Sequence, residues 1–583
     1  MNKRDFLAGG GLALALIAFL LPMANIGVDQ HHDGIMLKPA FDVLAGQVLF
    51  RDSFTQYGAL SSYLQAAALW ISPTLLSIRL LTVAAYVGTL VLAYAAWRFV
   101  LPRCLAVVAG IFFILFIPLY DKDYWDHRYY ILLPWSSVYA MLFQAVGLYS
   151  LLRAIHGRQA KSWALLLGVA CAAVCWCRQP VGLSMALALV ATAVVLSWTG
   201  WTPVEGSKRT IFGRTVVGFL GLNLLIFGGI AIAGALPAWW EQNIVWPARW
   251  SGSVDWMDTL PFTIHPVAAL GLVLLGVALV LPGRLQEKWA AWSRRHSAVY
   301  FMVLAVVLGW QRAWLLRILD VTDGGWLLLL PLIFAGVAVG SIWHGRRGPK
   351  EPHSPEYYLT GALAAVAVGS LTQYYPMADG WHIFDALAPV FGLFILGLWR
   401  WSGWRAGWVA TALLLALLPI AYRKGIAIPP ALNRPLVTLA KPAVLRGMRV
   451  PPEQAESLRQ IDETFAEILR HEPDIPTALI GDNALYLCLG RNRENPIAYY
   501  VTWRGLASQP DNVRRWEYIN RVRPILVLQA ARWNAVNEFY RKANYVPLRY
   551  VPGEILEIAV PGELAARMGL SAYGLGQPVP AGR

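Results

Sequence analysis

Apolar runs long enough to cross a bilayer recur along most of this chain of 583 residues. Each holds about 20 residues, the length that an α-helix needs to span the hydrocarbon core. The runs begin near Phe6, Leu75, Cys104, Trp135, Ser162, Gly182, Thr215, His265, Ala298, Trp326, Tyr358, His382 and Gly407. Only 14% of the residues are charged, well below the usual share in soluble domains. The sequence therefore predicts a polytopic α-helical membrane protein with about 13 transmembrane helices.

The connections between these runs alternate in charge, and this alternation sets the orientation of the chain. Lys3 and Arg4 precede the first run, which we interpret as a retained anchor, and every second connection is basic. Because cytoplasmic loops are enriched in Lys and Arg, the N-terminus is predicted to be cytoplasmic. An odd number of spans then places the C-terminus outside. The net charge of +15 lies largely in loops that face anionic lipids, so nucleic-acid binding is not expected.

The last part of the chain has a different composition from the membrane part. Residues 1–426 hold the predicted spans, and residues 427–452 form a proline-rich, basic connector. The segment SLRQIDETFAEILRHE then has the spacing of an amphipathic helix. Short β-rich runs follow at TALIGD, PILVLQ, YVPLRYV and EILEIAV. Residues 453–583 are therefore predicted to form an extracytoplasmic α/β domain.

The first outer connection, residues 28–60, carries the richest mixture of titratable residues. Its acids are interleaved with bases, and its apolar residues recur at helical spacing. The titratable residues are Asp29, His31, His32, Asp33, Lys38, Asp42, Arg51 and Asp52. Carboxylates at a membrane surface can act as a general base, a metal ligand or an acceptor for sugar hydroxyls. The alternative is an interfacial helix whose charges only keep it in water.

Two further outer connections are also acidic. The segment DKDYWDHRYY places Asp121, Asp123 and Asp126 at spacings that suit a divalent cation, although a charged loop without a metal is the commoner case. The segment LTQYYPMADGWHIFDALAP holds Asp379 and His382 near the headgroup region, where charged groups are costly unless they are used. Both connections are predicted to face the same side as the first one.

Arginines stand near the outer ends of several spans. Arg178, Arg249 and Arg312 are the clearest examples, and each alone is explained by snorkelling to the headgroups. Together they suggest phosphate binding, because guanidinium groups bind phosphate with two parallel hydrogen bonds. Tryptophans between residues 239 and 256 add flat apolar surfaces on the same side.

Several of these segments, in order, resemble those of the GT-C superfamily of membrane glycosyltransferases. The first outer connection contains HHDG, DVLAG and LFRDSFTQYGAL, and later segments are RQPVGL, QYYPMADGWHIFDALAP and RNRENPIAYY. The likeness is to bacterial protein-mannosyltransferase and aminoarabinose-transferase members. It implies the bacterial inner membrane, a periplasmic C-terminal domain, and inverting transfer of a sugar from a polyprenyl-phosphate carrier. The acceptor would be a hydroxyl of a glycan, a lipid or a protein.

The resemblance also implies roles for individual residues. Aligned on Gly34 and Gly46, the usual Asp-Glu pair falls on His32 and Asp33, so histidine occupies the usual aspartate position. Asp33 is our first expectation for the general base, followed by Asp29 and His32. The residues expected to bind substrate are Lys38, Arg51, Asp52, Tyr57, Arg178, Arg249, Arg312, Asp379 and His382. A divalent cation, Mg²⁺ or Mn²⁺, would be held by Asp121, Asp123 and Asp126.

Two alternatives from the residues themselves stay open. A transporter or flippase of lipid-linked sugars would also need outer cations and aromatics, but transporters commonly show internal repeats and charges at the midplane. An O-antigen-ligase-like transferase would place its main cations and histidine in a large, late outer loop. A structural scaffold leaves the three acidic outer connections unexplained.

Overall fold

A computed structural model describes most of the chain. The described residues are 3–55, 57–124, 127–198, 206–248, 277, 288, 291–292, 335–341, 355–374, 380–402, 404–432, 434–481, 483–489, 509–529 and 543–576. The spans predicted near His265, Ala298 and Trp326 lie mostly outside this set, and Asp126, Arg249, Arg312 and Asp379 lie wholly outside it.

The described residues from Lys3 to Trp240 are mostly helical, as the apolar runs predict. Its helices are α1 (Lys3–Leu20), α2 (His32–Leu44), α3 (Ala59–Ile71), α4 (Leu75–Trp97), α5 (Arg103–Phe116), α6 (Ser136–His156), α7 (Ala160–Cys177), α8 (Gln179–Trp198), α9 (Lys208–Ile232) and α10 (Leu236–Trp240). Within the described residues, five helical segments are long and apolar enough to cross a membrane: Lys3–Met23, α4, α6, α7 and α9. Membrane-length helices are thus confirmed at five predicted starts, and the total number stays a prediction.

Small residues let these helices pack closely. A Cβ atom added at Gly168 in α7 would lie 1.9 Å from the carbonyl oxygen of Thr215 in α9. One added at Gly218 in α9 would lie 2.2 Å from the carbonyl oxygen of Leu165. Such close backbone approach is typical of helix pairs in membranes. Helices there associate mainly through van der Waals packing, and small residues let the backbones come close.

From residue 355 to residue 432 the helices are α11 (Pro355–Ser370), α12 (Gly380–Leu387), α13 (Phe391–Ser402) and α14 (Ala406–Leu432). The run predicted to begin near His382 is divided, because a 3-10 turn at Ala388–Val390 separates α12 from α13. Pro389 has no amide hydrogen to continue a helix, and its carbonyl oxygen accepts a 3.0 Å hydrogen bond from the buried Trp97 indole.

The second acidic connection is a β-hairpin, whereas the sequence predicted only a charged loop. Strands β1 (Tyr120–Tyr124) and β2 (His127–Ile131) pair antiparallel, with Tyr120 opposite Ile131 and Tyr124 opposite His127. Tyrosine and isoleucine, which are enriched in β-strands, supply five of the ten strand residues.

The C-terminal part contains a four-stranded sheet, as the β-rich runs predict. Its elements are β3 (Val437–Thr438), β4 (Arg449–Val450), α15 (Pro452–His471), β5 (Thr477–Ile480), α16 (Gln509–Val522), β6 (Ile525–Gln529), β7 (Tyr545–Val551), β8 (Leu556–Pro561) and α17 (Gly562–Arg567). The strand order is β5-β6-β8-β7, with β5 parallel to β6 and the other pairs antiparallel. Helix α15 buries Ile461, Phe465 and Ile468 at helical spacing against this sheet.

Candidate functional site

Asp29 organises the start of the first outer helix. Its Oδ1 atom accepts hydrogen bonds from the backbone amides of His31, at 3.1 Å, and His32, at 2.7 Å. Amides at a helix start have no partner within the helix, so a carboxylate placed there stabilises it. Asp33 returns a similar bond, because its Oδ2 atom accepts from the Asp29 amide at 2.8 Å. The stretch from Asp29 to Asp33 is therefore fixed by its own side chains.

Asp33 also connects α2 to the membrane helix α4. Its Oδ2 atom accepts a 2.5 Å hydrogen bond from Arg79, which donates as well to the carbonyl oxygen of Ile26 at 2.8 Å. Both side chains are 0% exposed. Burial raises the pKa of Asp33 above its usual value, and the Arg79 guanidinium acts in the opposite direction. Our first expectation for the base is thus placed in a buried ion pair, without a surface that an acceptor hydroxyl could reach.

Three of the predicted substrate-binding residues, Lys38, Arg51 and Asp52, form ion pairs within the protein. Lys38 is buried within α2, with its Nζ atom 2.5 Å from Asp42, and Asp42 also accepts a hydrogen bond from Ser53. Arg51 forms an ion pair with Asp52 at the surface and donates to the carbonyl oxygen of Ala233 at 2.7 Å. The hydrogen bond from Arg51 lowers the pKa of Asp52, so Asp52 is ionised at neutral pH. Lys38 is therefore buried, whereas the Arg51–Asp52 pair lies at the protein surface.

Three of the predicted site residues join in one row with a tryptophan. The His32 ring lies 5.0 Å from the Trp135 ring, centroid to centroid, and the Tyr57 ring lies 6.1 Å from Trp135 on an edge. The Arg178 guanidinium sits over the Tyr57 ring at 5.8 Å and donates to the Ser137 hydroxyl at 2.5 Å. We call His32, Trp135, Tyr57 and Arg178 the aromatic row.

The row forms because four helix ends meet at one place. His32 begins α2, Tyr57 stands just before α3, Trp135 precedes α6, and Arg178 separates α7 from α8. Gly58 makes the approach possible, since a Cβ atom there would lie 2.0 Å from the Trp176 carbonyl oxygen. Its amide instead donates to the Cys177 carbonyl oxygen at 3.2 Å.

Two amide side chains of the tryptophan-rich segment bond to the first outer connection and to the start of α8, and the sequence did not single them out. Gln242 accepts from the Thr55 amide at 3.3 Å and donates to the Phe50 carbonyl oxygen at 2.7 Å. Asn243 accepts a hydrogen bond from the Gln179 side chain, next to Arg178 in the chain. Both lie in a π-helical turn, Glu241–Val245. The sequence signal that could have identified them is the presence of two amide residues within a largely apolar segment.

The C-terminal part also forms hydrogen bonds with the first outer connection. The Leu485 amide donates to the Gln30 carbonyl oxygen at 3.1 Å, and the Gln30 side chain donates to Glu554 at 2.7 Å. Tyr486 donates its hydroxyl to the other oxygen of Glu554 at 2.8 Å. A Cβ atom at Gly34 would lie 2.1 Å from the Leu485 nitrogen, so only glycine permits this contact. The residue used to align the resemblance is thus a packing glycine.

The predicted site residues of the second and third acidic connections lie on other elements. His382 lies partly buried on α12, which packs against α6 and α11. Asp121 and Asp123 occupy alternate positions of β1, and their side chains lie outside the described part. Within that part, no group of three His, Cys, Asp or Glu residues is arranged to hold a metal ion. A divalent cation at Asp121, Asp123 and Asp126 remains a prediction.

Known proteins were compared with the chain. No family model and no curated protein match it. Among solved structures, ArnT from Cupriavidus metallidurans, bound to undecaprenyl phosphate, is similar at a TM-score of 0.48 and 12% identity, covering 99% of this chain and 100% of its own. The Archaeoglobus fulgidus oligosaccharyltransferase, tethered with an acceptor peptide, is similar at a TM-score of 0.46 and 12% identity, covering 90% and 69%. The same oligosaccharyltransferase with Zn and sulfate gives 0.40 and 12%, covering 95% and 73%. These TM-scores lie below 0.5, so no function is inferred from these structural similarities.

Proposed function

We propose that the protein is an inverting glycosyltransferase that moves a sugar from a polyprenyl-phosphate carrier to an acceptor hydroxyl. The observation that carries the proposal is the aromatic row beside Asp29. It combines a carboxylate–histidine pair, two flat rings and a guanidinium within one small region where helices end. General-base, ring-stacking and phosphate-binding groups are the three that this reaction needs. The segment resemblance to the GT-C superfamily supports the same reaction.

His32 is the residue that we assign as the general base. Its side chain is 21% exposed, and its Nδ1 atom lies 3.0 Å from Oδ1 of Asp29. Asp29 itself is buried, so it can orient the ring without reaching the acceptor. A carboxylate this close to one imidazole nitrogen favours a proton on that nitrogen and leaves the other nitrogen to accept one. The histidine stands where the family has aspartate, and the neighbouring Asp29 supplies the negative charge.

The transfer step follows from these positions. The acceptor hydroxyl loses its proton to Nε2 of His32 as its oxygen attacks the anomeric carbon. The bond from that carbon to the phosphate oxygen breaks at the same time, and its electron pair leaves with the phosphate. Arg178 stabilises the new negative charge, since among the described residues its hydrogen-bond partner is the neutral Ser137. Configuration inverts because attack and departure occur on opposite faces of the sugar.

The remaining assignments complete this picture. Trp135 and Tyr57 offer flat rings to the sugar, while the carrier chain stays in the bilayer. The reaction is placed on the periplasmic face of the bacterial inner membrane, with a cytoplasmic N-terminus and a periplasmic C-terminal domain over residues 453–583. Acceptors are hydroxyls of an envelope glycan, lipopolysaccharide or a protein. Arg249, Arg312, Asp379 and His382 are proposed to complete substrate binding, and a Mg²⁺ or Mn²⁺ ion at the β-hairpin would share the phosphate charge.

A transfer assay in proteoliposomes tests the proposal. The full chain is reconstituted with radiolabelled polyprenyl-phosphate sugar and a lipid or protein hydroxyl acceptor, with and without EDTA. We expect His32→Gln to lower kcat about 10² to 10⁴ fold, because a general base contributes this much. His471→Gln changes an exposed histidine of α15 and serves as the matched control.

Three outcomes are informative. Full turnover in a folded His32→Gln variant would remove the assigned base. Label that crosses the bilayer while still attached to its carrier would instead indicate a flippase. Activity that is lost with EDTA and restored by Mg²⁺ or Mn²⁺ would support the metal at Asp121, Asp123 and Asp126, and full activity under chelation would exclude it.

A further inference from the structure

A cavity lies on the membrane flank of the protein, between the ends of two spans and the C-terminal part. Its volume is about 700 Å³, and its lining comes from the turn that follows α1, the first turns of α4, and β4. The lining residues are Leu21, Pro22, Ala24, Asn25, Leu76, Leu80 and Arg449. None of them belongs to the aromatic row, so the cavity is separate from the proposed transfer site.

One end of the cavity is polar. Arg449 is held there by its backbone, because its amide donates to the Asn25 carbonyl oxygen at 2.6 Å and its carbonyl oxygen accepts from Gly27 at 2.8 Å. Among the described residues, the Arg449 and Asn25 side chains have no hydrogen-bond partner. A guanidinium and an amide therefore present free donors at the rim. Such donors match phosphate oxygens, which guanidinium binds with two hydrogen bonds.

The other end of the cavity is apolar, and two of its lining side chains are exposed. Leu21 is 49% exposed and Leu80 is 41% exposed, and both lie in or next to membrane-length helices. Leu76 also lines the cavity, and a Cβ atom added at Gly447 would lie 3.6 Å from its Cδ2 atom. Polar donors above an apolar wall, at the outer end of two spans, match the order of phosphate and chains in a phospholipid.

The charge around the cavity favours an anionic occupant. Its lining contains one cation and no acid, and the same segment carries Lys441 and Arg446, which are exposed. Basic residues beside a membrane attract anionic lipids in this way. We propose that this cavity binds the phosphate headgroup of an anionic phospholipid from the outer leaflet, with Arg449 and Asn25 as the ligands of the phosphate.

Occupancy would act on the first outer connection through the backbone. Gly27 and Asn25 pair with Arg449, and Ile26 between them accepts the hydrogen bond from Arg79 that accompanies the Asp33 ion pair. A bound phospholipid would therefore hold β4 and this turn in place together. The site is a structural lipid site, and it does not depend on the transfer reaction.

Native mass spectrometry of the full chain tests the proposal. The protein is taken from nanodiscs of dioleoylphosphatidylglycerol or of dioleoylphosphatidylcholine, and retained lipid is counted. We expect one phosphatidylglycerol to bind to the wild type about tenfold more tightly than to Arg449→Gln, because charge-assisted hydrogen bonds are lost. Arg446→Gln removes an exposed arginine three residues away and should bind like the wild type.

A second variant keeps the proposal testable if the Arg449→Gln protein does not fold. Leu80→Trp fills the apolar end of the cavity and should reduce phosphatidylglycerol binding while leaving Arg449 in place. Equal retention of the two phospholipids, or unchanged binding in both variants, would overturn the proposal. Tighter retention of polyprenyl phosphate than of phosphatidylglycerol would assign the cavity to the carrier, and competition by inorganic phosphate alone would assign it to a free anion; either result also overturns it.

Discussion

Replacing Arg79 by methionine removes one half of the buried ion pair beneath the first outer helix. Both side chains of the pair are 0% exposed, and Arg79 also donates to the Ile26 carbonyl oxygen. Breaking a buried pair from one side leaves an uncompensated charge and costs about 3–5 kcal/mol, whereas replacing both partners is often nearly neutral. We expect Arg79→Met and Asp33→Asn each to lose about 3–5 kcal/mol, and the double variant to recover most of that loss.

The assay is equilibrium unfolding in detergent, followed by circular dichroism. Arg103→Met is the matched control, because Arg103 is one third exposed and shares its partner Asp5 with Arg98. Partly exposed pairs contribute little, so the control should lose under about 1 kcal/mol. Losses that simply add in the double variant would show that Asp33 and Arg79 are not coupled, and would refute the reasoning.

The same pair gives a pH dependence with a defined sign. Burial raises the pKa of Asp33 above the value of 3.8 expected in the unfolded chain, so the folded state holds this proton more tightly. The stabilisation from protonated Asp33 is complete below that value and is lost as the pH rises through the folded pKa. Arg79→Met removes the attraction that opposes burial, so its cost should be larger at pH 7 than at pH 4. An equal cost at both pH values would contradict this assignment.

Two further predictions concern the contact between the first outer connection and the C-terminal part. Gly34→Ala should destabilise the protein by about 3 kcal/mol, since the new methyl meets backbone 2.1 Å away, whereas Gly11→Ala in α1 meets nothing within 4 Å and should be neutral or slightly stabilising in the same unfolding assay. Glu554→Gln should cost about 1.5–3 kcal/mol and lower kcat more than it raises KM, because it loosens Gln30 beside Asp29. Glu563→Gln alters an exposed glutamate of α17 and should change neither quantity; matched values for the two glutamate variants would argue against the role of Glu554.

The elements that the sequence predicted correctly are those with a strong local period. The apolar spacing after His32 predicts a helix, and the structure has α2 there, at the start of the titratable segment. The four β-rich runs of the C-terminal part each correspond to one strand, and the amphipathic pattern before them corresponds to α15. Length and periodicity are properties of neighbouring residues, so they can be read without knowing the fold.

The partners of the site residues could not be predicted, because they are distant in the chain. Arg79 is 46 positions from Asp33, and Glu554 is 524 positions from Gln30. Neither separation leaves a periodic signal. Arg79 stands out as a charged residue in an apolar run, but the sequence does not indicate which residue it pairs with. The sequence therefore ranked Asp33 first among the candidate bases without showing that it is buried, since burial depends on these distant contacts.

The two distant contacts connect the first outer connection to α4 on one side and to the C-terminal part on the other. Arg79 holds Asp33 from the membrane side, and Glu554 holds Gln30 from the sheet side, so the stretch between them is clamped at both ends. His32 lies within that stretch and keeps part of its ring exposed. A general base acts efficiently only when its position is set before the substrate arrives. With His32 as the proposed base, the sheet is a positioning element, and we expect that loosening it lowers turnover without removing any group that touches the sugar.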